Sequence, residues 1–140
     1  MKYSSIQSGV DRAEGGPLVG HHILIVDDEP MLLRIMGRAL DEEGYSVIEA
    51  LNGLTAFDLA RNTSKPFDLV VTDSLMPGMS GPELIVRLRD LHPQLPILHL
   101  SGADRADRLG VEGLPPDVPT IYKPFHVAEL VRQVRDLLAA

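Results

Sequence analysis

The chain has 140 residues, of which 44% are hydrophobic and none is cysteine. This length suits one domain with a single core, and the lack of cysteine excludes disulfides and thiolate metal sites. The 13 basic and 20 acidic residues give a formal net charge of −7, which argues against sequence-independent nucleic-acid binding because such binding needs a basic face.

The first residues set an expectation about location. Residues 1–7 lack the apolar core of a signal peptide, and no apolar run approaches the ~20 residues of a membrane span, so we expect a cytoplasmic protein without membrane insertion. Residues 1–20 mix serine, glycine, proline and charge without apolar periodicity, which predicts a flexible arm or linker. A docking segment or the trailing end of a preceding domain is the alternative for this stretch.

From residue 23 onward, strand and helix patterns alternate. Residues 23–26 are four consecutive apolar residues, three of them β-branched, as is typical of a buried strand in a parallel sheet. Further strands are predicted at residues 45–50, 67–73, 96–101 and 120–123. Helical spacing predicts helices over residues 32–40, 53–60, 82–91 and 127–138, and a short or irregular fourth helix over about 105–110. The alternation predicts an α/β doubly wound five-stranded parallel sheet with helices on both faces.

Several single residues mark special positions along these elements. Gly44 is expected to end the first helix. Gly37 lies inside that helix at a cost of roughly 1 kcal/mol relative to alanine, so we expect another group to approach the backbone there. Gly78 and Gly81 predict a tight loop after the third strand. His99, in an apolar strand, is expected to be a core residue rather than a ligand.

Polar residues stand at the carboxyl ends of four predicted strands. In an open parallel sheet these ends meet at one crevice, where ligands bind. The first strand ends on three consecutive carboxylates, whose repulsion and partial desolvation are costly, so we expect a positive charge among them. The residues are Asp27, Asp28 and Glu29 after the first strand, Asp73 on the third, Ser101 on the fourth and Lys123 on the fifth.

Four motifs, in this order, resemble the receiver domain of bacterial two-component response regulators. They are Ile-Val-Asp27-Asp28-Glu-Pro, Asp73-Ser-Leu-Met-Pro77-Gly-Met-Ser-Gly81, Ser101-Gly102 and Lys123-Pro124-Phe125. The resemblance covers about residues 23–139 and implies a flavodoxin-like fold with strand order 2-1-3-4-5, the domain occupying residues 21–140. It also implies a cis peptide bond before Pro124, which proline makes inexpensive.

The resemblance implies a Mg²⁺ site. Asp28 and Asp73 would bind the ion directly, Asp27 would bind it through water, and the backbone carbonyl of Leu75 would supply another oxygen. Mg²⁺ prefers hard oxygen ligands and keeps waters that a phosphate oxygen can replace. Acids favoured at a helix N-terminus would be the simpler explanation of Asp27 or Asp28 alone, but not of Asp73.

The resemblance also implies that Asp73 accepts a phosphoryl group, that Ser101 hydrogen-bonds this group and that Lys123 pairs with it. An aspartate of ordinary pKa, ~3.9, is ionised at pH 7 and needs no general base. The obstacle is the approach of an anion to a phosphate, which neutralising charges overcome. The simpler alternative for Asp73 is a turn residue. For Lys123, which precedes a proline, it is an exposed position at the end of a strand without a role in a site.

The sequence departs from the family pattern at the output side. Receiver domains usually carry an aromatic residue three positions before the lysine, but Thr120 stands there, and Tyr122 should not inherit that role. The segment over residues 102–119 is rich in glycine and proline, which is more similar to receivers attached to hybrid histidine kinases. Because the last helix runs close to Ala140, we expect a stand-alone regulator, a relay intermediate or a piece of a larger protein, without a DNA-binding output domain.

Two functions of different class follow. Under the first, a histidine kinase or histidine phosphotransfer protein phosphorylates Asp73, which shifts a conformational equilibrium read by an unidentified downstream protein. Such a domain regulates, and catalyses only its own Mg²⁺-dependent phosphorylation and dephosphorylation. Under the second, a constitutive protein-interaction module keeps the acidic pocket without phosphorylation. A metal-dependent phosphatase is disfavoured, because Leu75 stands where its second acid would lie.

Overall fold

A computed structural model describes residues 20–102 and 113–140 of the chain. The helix predicted near residues 105–110, and residues 1–19 of the predicted arm, lie outside these described residues. The strands are β1 (His22–Val26), β2 (Ser46–Ala50), β3 (Leu69–Asp73), β4 (Ile97–Ser101) and β5 (Thr120–Tyr122). The helices in the described residues are α1 (Pro30–Glu42), α2 (Gly53–Asn62), α3 (Gly81–Leu91) and α4 (Val127–Ala139).

The five strands form one parallel sheet in the order β2-β1-β3-β4-β5. This confirms the predicted fold class and the strand order that the family resemblance implied. The order reverses direction between β1 and β3, so the crevice at the carboxyl ends of these two strands is the switch point at which open α/β sheets bind ligands.

Helices cover both faces of the sheet, and the core is divided accordingly. All five positions of β1, β3 and β4 are buried, which explains why these strands read as continuous apolar runs. Alternate residues such as Leu24 and Val70 face α2 and α3, whereas Ile25 and Val71 face α1 and α4. In the described part of the chain, no helix is both long and apolar enough to cross a membrane.

The ends of the helices follow local signals in the sequence. Asn52 caps α2 by accepting a hydrogen bond from the Thr55 backbone N–H at 2.8 Å, and Ser80 caps α3 in the same way. Gly44, two residues after the end of α1, has φ of +101° and stops that helix as predicted. The carboxylate of Glu49 approaches the backbone at Gly37, which is the close approach that the sequence predicted.

The third strand begins two residues later than predicted. Phe67 stacks on the His22 ring with centroids 4.3 Å apart. The carboxylate of Asp68 accepts a hydrogen bond from the His22 backbone N–H at 2.7 Å. Residues 67 and 68 are therefore used to fix the start of β1 rather than to extend β3, and their apolar and polar alternation alone does not reveal this.

Candidate functional site

The polar residues predicted to converge lie at the carboxyl ends of the strands. Asp27 follows β1 and is completely buried, whereas its neighbour Asp28 is exposed. Asp73 ends β3 and Ser101 ends β4, and both are buried. Lys123 directly follows β5, and the peptide bond that leads from it into the next residue is cis, as the resemblance implied.

The cation expected among the acids is Lys123. Its Nζ lies 3.0 Å from Asp73 Oδ1 and 3.1 Å from Asp27 Oδ2. Glu29 contributes at longer range, with Oε1 4.0 Å from the same nitrogen and a largely exposed side chain. The backbone N–H of Glu29 donates to Asp27 Oδ1 at 2.9 Å and so fixes the buried carboxylate. Sequence reasoning missed this direct contact between Asp27 and Lys123.

Three acids form the other half of the site. Asp27, Asp28 and Asp73 each place one carboxylate oxygen within 4.8 Å of the other two. Clustered carboxylate oxygens are the ligands that Mg²⁺ prefers, and the exposed position of Asp28 leaves one side of the cluster open to water. The donor set therefore fits a hard divalent cation. The part assigned to the Leu75 carbonyl stays a prediction.

The electrostatics of the site differ from what the sequence suggested. Burial, followed by the neighbouring charge of Asp27, raises the pKa of Asp73 from 3.8 to about 6, although Lys123 acts in the opposite direction. The ordinary pKa assumed for this aspartate was therefore too low. With a pKa near this value, about nine in ten Asp73 side chains are still ionised at pH 7. Burial alone would lower the pKa of Lys123, but hydrogen bonds and charges from Asp73 and Asp27 raise it.

The backbone around Asp73 is held by neighbours that sequence reasoning mostly missed. The hydroxyl of Thr72 donates to the Asp73 carbonyl at 3.0 Å. The Gly81 backbone N–H donates to the carbonyl of Ser74 at 2.7 Å, and a Cβ at Gly81 would overlap the carbonyl oxygen of Asp73. Gly78, with φ of +87°, completes the tight loop that the two glycines predicted.

Ser101 lies beside this cluster on β4. Its hydroxyl donates to the Gly102 carbonyl at 3.3 Å. In the sheet register Ser101 faces Tyr122, and the Lys123 backbone N–H donates to the Ser101 carbonyl at 2.7 Å. The structure therefore places the backbone of Ser101 beside that of Lys123. The role of Ser101 toward a phosphoryl group stays a prediction.

Several exposed apolar side chains lie near the carboxyl ends of the strands. Five of them lie in the loops or helix starts that follow the strands, or on the last strand residue itself. They are Met31 at the start of α1, Leu51 and Leu54 around the start of α2, Leu75 after β3 and Tyr122 at the end of β5. Solvent-exposed apolar side chains grouped around a polar site are typical of a protein interaction surface.

Comparisons with known proteins agree with this geometry. The family model described as the response regulator receiver domain matches residues 23–135. The response regulator receiver protein CpdR of Brucella abortus (strain 2308) is 33% identical over 118 residues, covering 84% of this chain and 97% of CpdR. The sensor kinase CckA of the same strain is 34% identical over 118 residues, covering 83% of this chain and 12% of CckA.

Solved structures of response regulator receiver proteins are similar to this chain as well. The response regulator receiver protein from Sinorhizobium medicae WSM419 matches with a TM-score of 0.77 and 30% identity, covering 89% of this chain and 98% of that chain. The chain spans about half the length of other curated relatives that it matches, at 52% and 50%.

Proposed function

Because the chain belongs to the response regulator receiver domain family, a family of regulatory signalling domains, we propose that Asp73 is its phosphoryl acceptor. The observation that carries the proposal is the position of Asp73 at the switch point of the sheet, 3.0 Å from the Lys123 ammonium and clustered with Asp27 and Asp28. Phosphorylation of Asp73 would shift the domain between two conformations and so change what it binds.

Asp27, Asp28 and Asp73 are the residues that would hold Mg²⁺, with the Leu75 carbonyl as a further ligand. Bound there, the ion would supply positive charge to the oxygens of the incoming phosphoryl group. Asp28 and Asp73 would be direct ligands. Asp27, which is buried and already paired with Lys123, suits the water-mediated role that the resemblance implied.

The residues of the chain perform the transfer by position and charge. A carboxylate oxygen of Asp73 forms the new bond to phosphorus, while the phosphorus–nitrogen bond of the phosphohistidine breaks and its electron pair stays on the histidine nitrogen. Lys123 Nζ, already beside Asp73, neutralises charge on the transferred group. The Ser101 hydroxyl exchanges its hydrogen bond with Gly102 for one with a phosphoryl oxygen.

No observation on the described residues favours a constitutive binding module. Acceptor, lysine and acids lie together, and a module that never reacts would not need this costly grouping of charge. The constitutive module would be supported if the chain bound its partner equally well with and without modification of Asp73.

The test is the intact mass of the chain after incubation with acetyl phosphate and Mg²⁺, or with beryllofluoride and Mg²⁺. We expect one adduct in the wild type, none in Asp73→Asn, and none in the presence of EDTA. Asp41→Asn, which changes an exposed acid at the end of α1, is the matched control and should form the adduct normally. An adduct that persists in Asp73→Asn, or its absence in the wild type, contradicts the proposal.

The partners follow from the same site. We assign the phosphodonor to a histidine kinase or a histidine phosphotransfer protein, and the output to a downstream protein, in the cytoplasm. The likeness to the CckA sensor kinase supports a place in a hybrid-kinase relay. The exposed apolar side chains near the carboxyl ends of the strands support donor docking by a protein surface rather than by a small molecule alone.

A further inference from the structure

The strand that carries Lys123 is short and lies at the edge of the sheet. β5 has three residues and pairs with β4 alone. Backbone hydrogen bonds join the two strands at both ends, from His99 N–H to the Pro119 carbonyl at 3.0 Å and from Lys123 N–H to the Ser101 carbonyl at 2.7 Å. The backbone of Lys123 is therefore placed in the sheet by the pairing of β5 with β4.

One side-chain hydrogen bond adds to this ladder. His99 on β4 and Thr120 on β5 face each other in the register, and His99 Nδ1 lies 3.3 Å from Thr120 Oγ1. The His99 side chain is completely buried. Because side chains alternate along a strand, His99 lies on the same face of β4 as Ser101, two residues further on.

We propose that His99 and Thr120 are positioning residues for phosphoryl acceptance. Their hydrogen bond fixes the register of β5 against β4. It thereby determines the position of the Lys123 ammonium relative to Ser101 and Asp73. A hydrogen bond is directional, whereas the apolar contacts of a three-residue strand permit sliding. The inference rests on the proposed function of Asp73 and adds to it one residue of β4 and one of β5.

A second clamp lies just before the start of β5 and offers a control. Arg89 on α3 donates from Nε to the Leu95 carbonyl at 2.9 Å and pairs through Nη2 with Asp117 Oδ2 at 2.7 Å. It ties the segment before β5 to the segment before β4. Asp117 is exposed and precedes β5 at the end away from Lys123, so weakening this clamp loosens the fold without changing the face on which His99 and Ser101 lie.

The experiment compares Thr120→Val, which removes the hydroxyl at nearly constant shape, with Thr120→Ser, which keeps it. Three quantities are measured: the rate of adduct formation with acetyl phosphate at saturating Mg²⁺, the affinity for beryllofluoride and the affinity for Mg²⁺. We expect Thr120→Val to lower the first two by about 5–10-fold, because small misplacements of a charge-stabilising group are costly. Mg²⁺ affinity should not fall, since Asp27, Asp28 and Asp73 follow or end other strands.

Two controls separate positioning from stability. Thr120→Ser should react at close to the wild-type rate. Asp117→Asn should lower the melting temperature and still react at the wild-type rate. The positioning role is overturned if Thr120→Val reacts like the wild type, if Thr120→Ser is as slow as Thr120→Val, or if Mg²⁺ affinity falls in parallel with the rate. A wild type that forms no adduct at all would instead overturn the proposed function of Asp73.

Discussion

At the scale of single residues, the proposed acceptor role requires Asp73 to be buried enough to be held in place and ionised enough to attack phosphorus. Burial and the charge of Asp27 raise its pKa to about 6, and Lys123 limits the rise through its contact at 3.0 Å. The acceptor is thus a destabilising group in the metal-free fold. Function at the strand end conflicts with stability there, as is common where carboxylates are grouped.

This conflict predicts a pH dependence in the presence of EDTA. Between pH 4 and 6 the native Asp73 binds more protons than the unfolded one, because its pKa is about 6 rather than 3.8. Its contribution to the free energy of unfolding therefore falls as pH rises through this window, by on the order of 2–3 kcal/mol, and is constant above it. The Asp73→Asn variant should not show this fall in the free energy of unfolding, because asparagine does not titrate.

Urea unfolding at several pH values measures the effect. The stability of Asp73→Asn minus that of the wild type should grow from pH 4 to 6 and then level off. Asp41→Asn, at an exposed position, should show a nearly constant difference. A constant difference for Asp73→Asn as well would show that the acceptor is not destabilised by burial.

Lys123 should have opposite effects on Mg²⁺ binding and on adduct formation. Its ammonium contacts Asp27 and Asp73, two of the three clustered acids, so it competes with a divalent cation for the same oxygens. Lys123→Met should therefore bind Mg²⁺ more tightly, by about 3–10-fold given the strength of close charge pairs near a surface, while its adduct forms more slowly.

Calorimetric titration with Mg²⁺ in the absence of phosphodonor provides the measurement. Lys65→Met removes an exposed lysine between α2 and β3 and serves as the control for overall charge. Unchanged or weaker Mg²⁺ binding by Lys123→Met would mean that the lysine and the ion do not share these carboxylates.

At the scale of elements, the loop between β3 and α3 is shaped by Gly81. A Cβ there would overlap the carbonyl oxygen of Asp73, which is backbone and cannot move aside. Gly81→Ala should cost about 1–3 kcal/mol, as overpacking does, and slow adduct formation by displacing the acceptor. Chemical denaturation and the adduct rate are the two readouts.

Gly37 is the matched control for this substitution. A Cβ there would meet the end of the Glu49 side chain, which can move, and alanine is favoured over glycine inside a helix by up to about 1 kcal/mol. Gly37→Ala should therefore leave stability unchanged or raise it. Equal destabilisation by both substitutions would contradict the view that backbone contact with Asp73 distinguishes Gly81.

Some features of these elements follow from the local sequence, whereas others depend on contacts between residues far apart in the chain. The continuous apolar runs of β1, β3 and β4 made the sheet predictable, and Gly44 did the same for the end of α1, because each is determined locally. The contact between Asp27 and Lys123, and the hydrogen bond between His99 and Thr120, join residues 96 and 21 positions apart. Such pairings depend on strand register, which single-sequence patterns do not specify.

At the scale of the whole molecule, the acidic cluster and five exposed apolar side chains lie at the same end of the sheet, the carboxyl ends of the strands. Removal of one of them should slow transfer from a protein donor and leave transfer from acetyl phosphate unchanged. Met31, 76% exposed, is the best choice. For Met31→Ser we expect transfer from a phosphorylated histidine phosphotransfer protein to slow by about 5–10-fold, in keeping with an interface side chain worth roughly 1 kcal/mol.

Val86 provides the control for this interface. It is 58% exposed, on α3 and away from the strand ends, so Val86→Ser should transfer at the wild-type rate from both donors. If Met31→Ser slows acetyl phosphate as much as the protein donor, the residue acts on the chemistry or the fold rather than on docking.

The position of the modified residue shows directly whether Asp73 receives the phosphoryl group. The chain is incubated with a phosphorylated histidine phosphotransfer protein and Mg²⁺, reduced with borohydride to convert aspartyl phosphate to homoserine, digested and sequenced by tandem mass spectrometry. We expect homoserine at position 73 alone, and none without Mg²⁺. Homoserine at position 27 or 28, or loss of phosphate from the donor with position 73 unmodified, would contradict it.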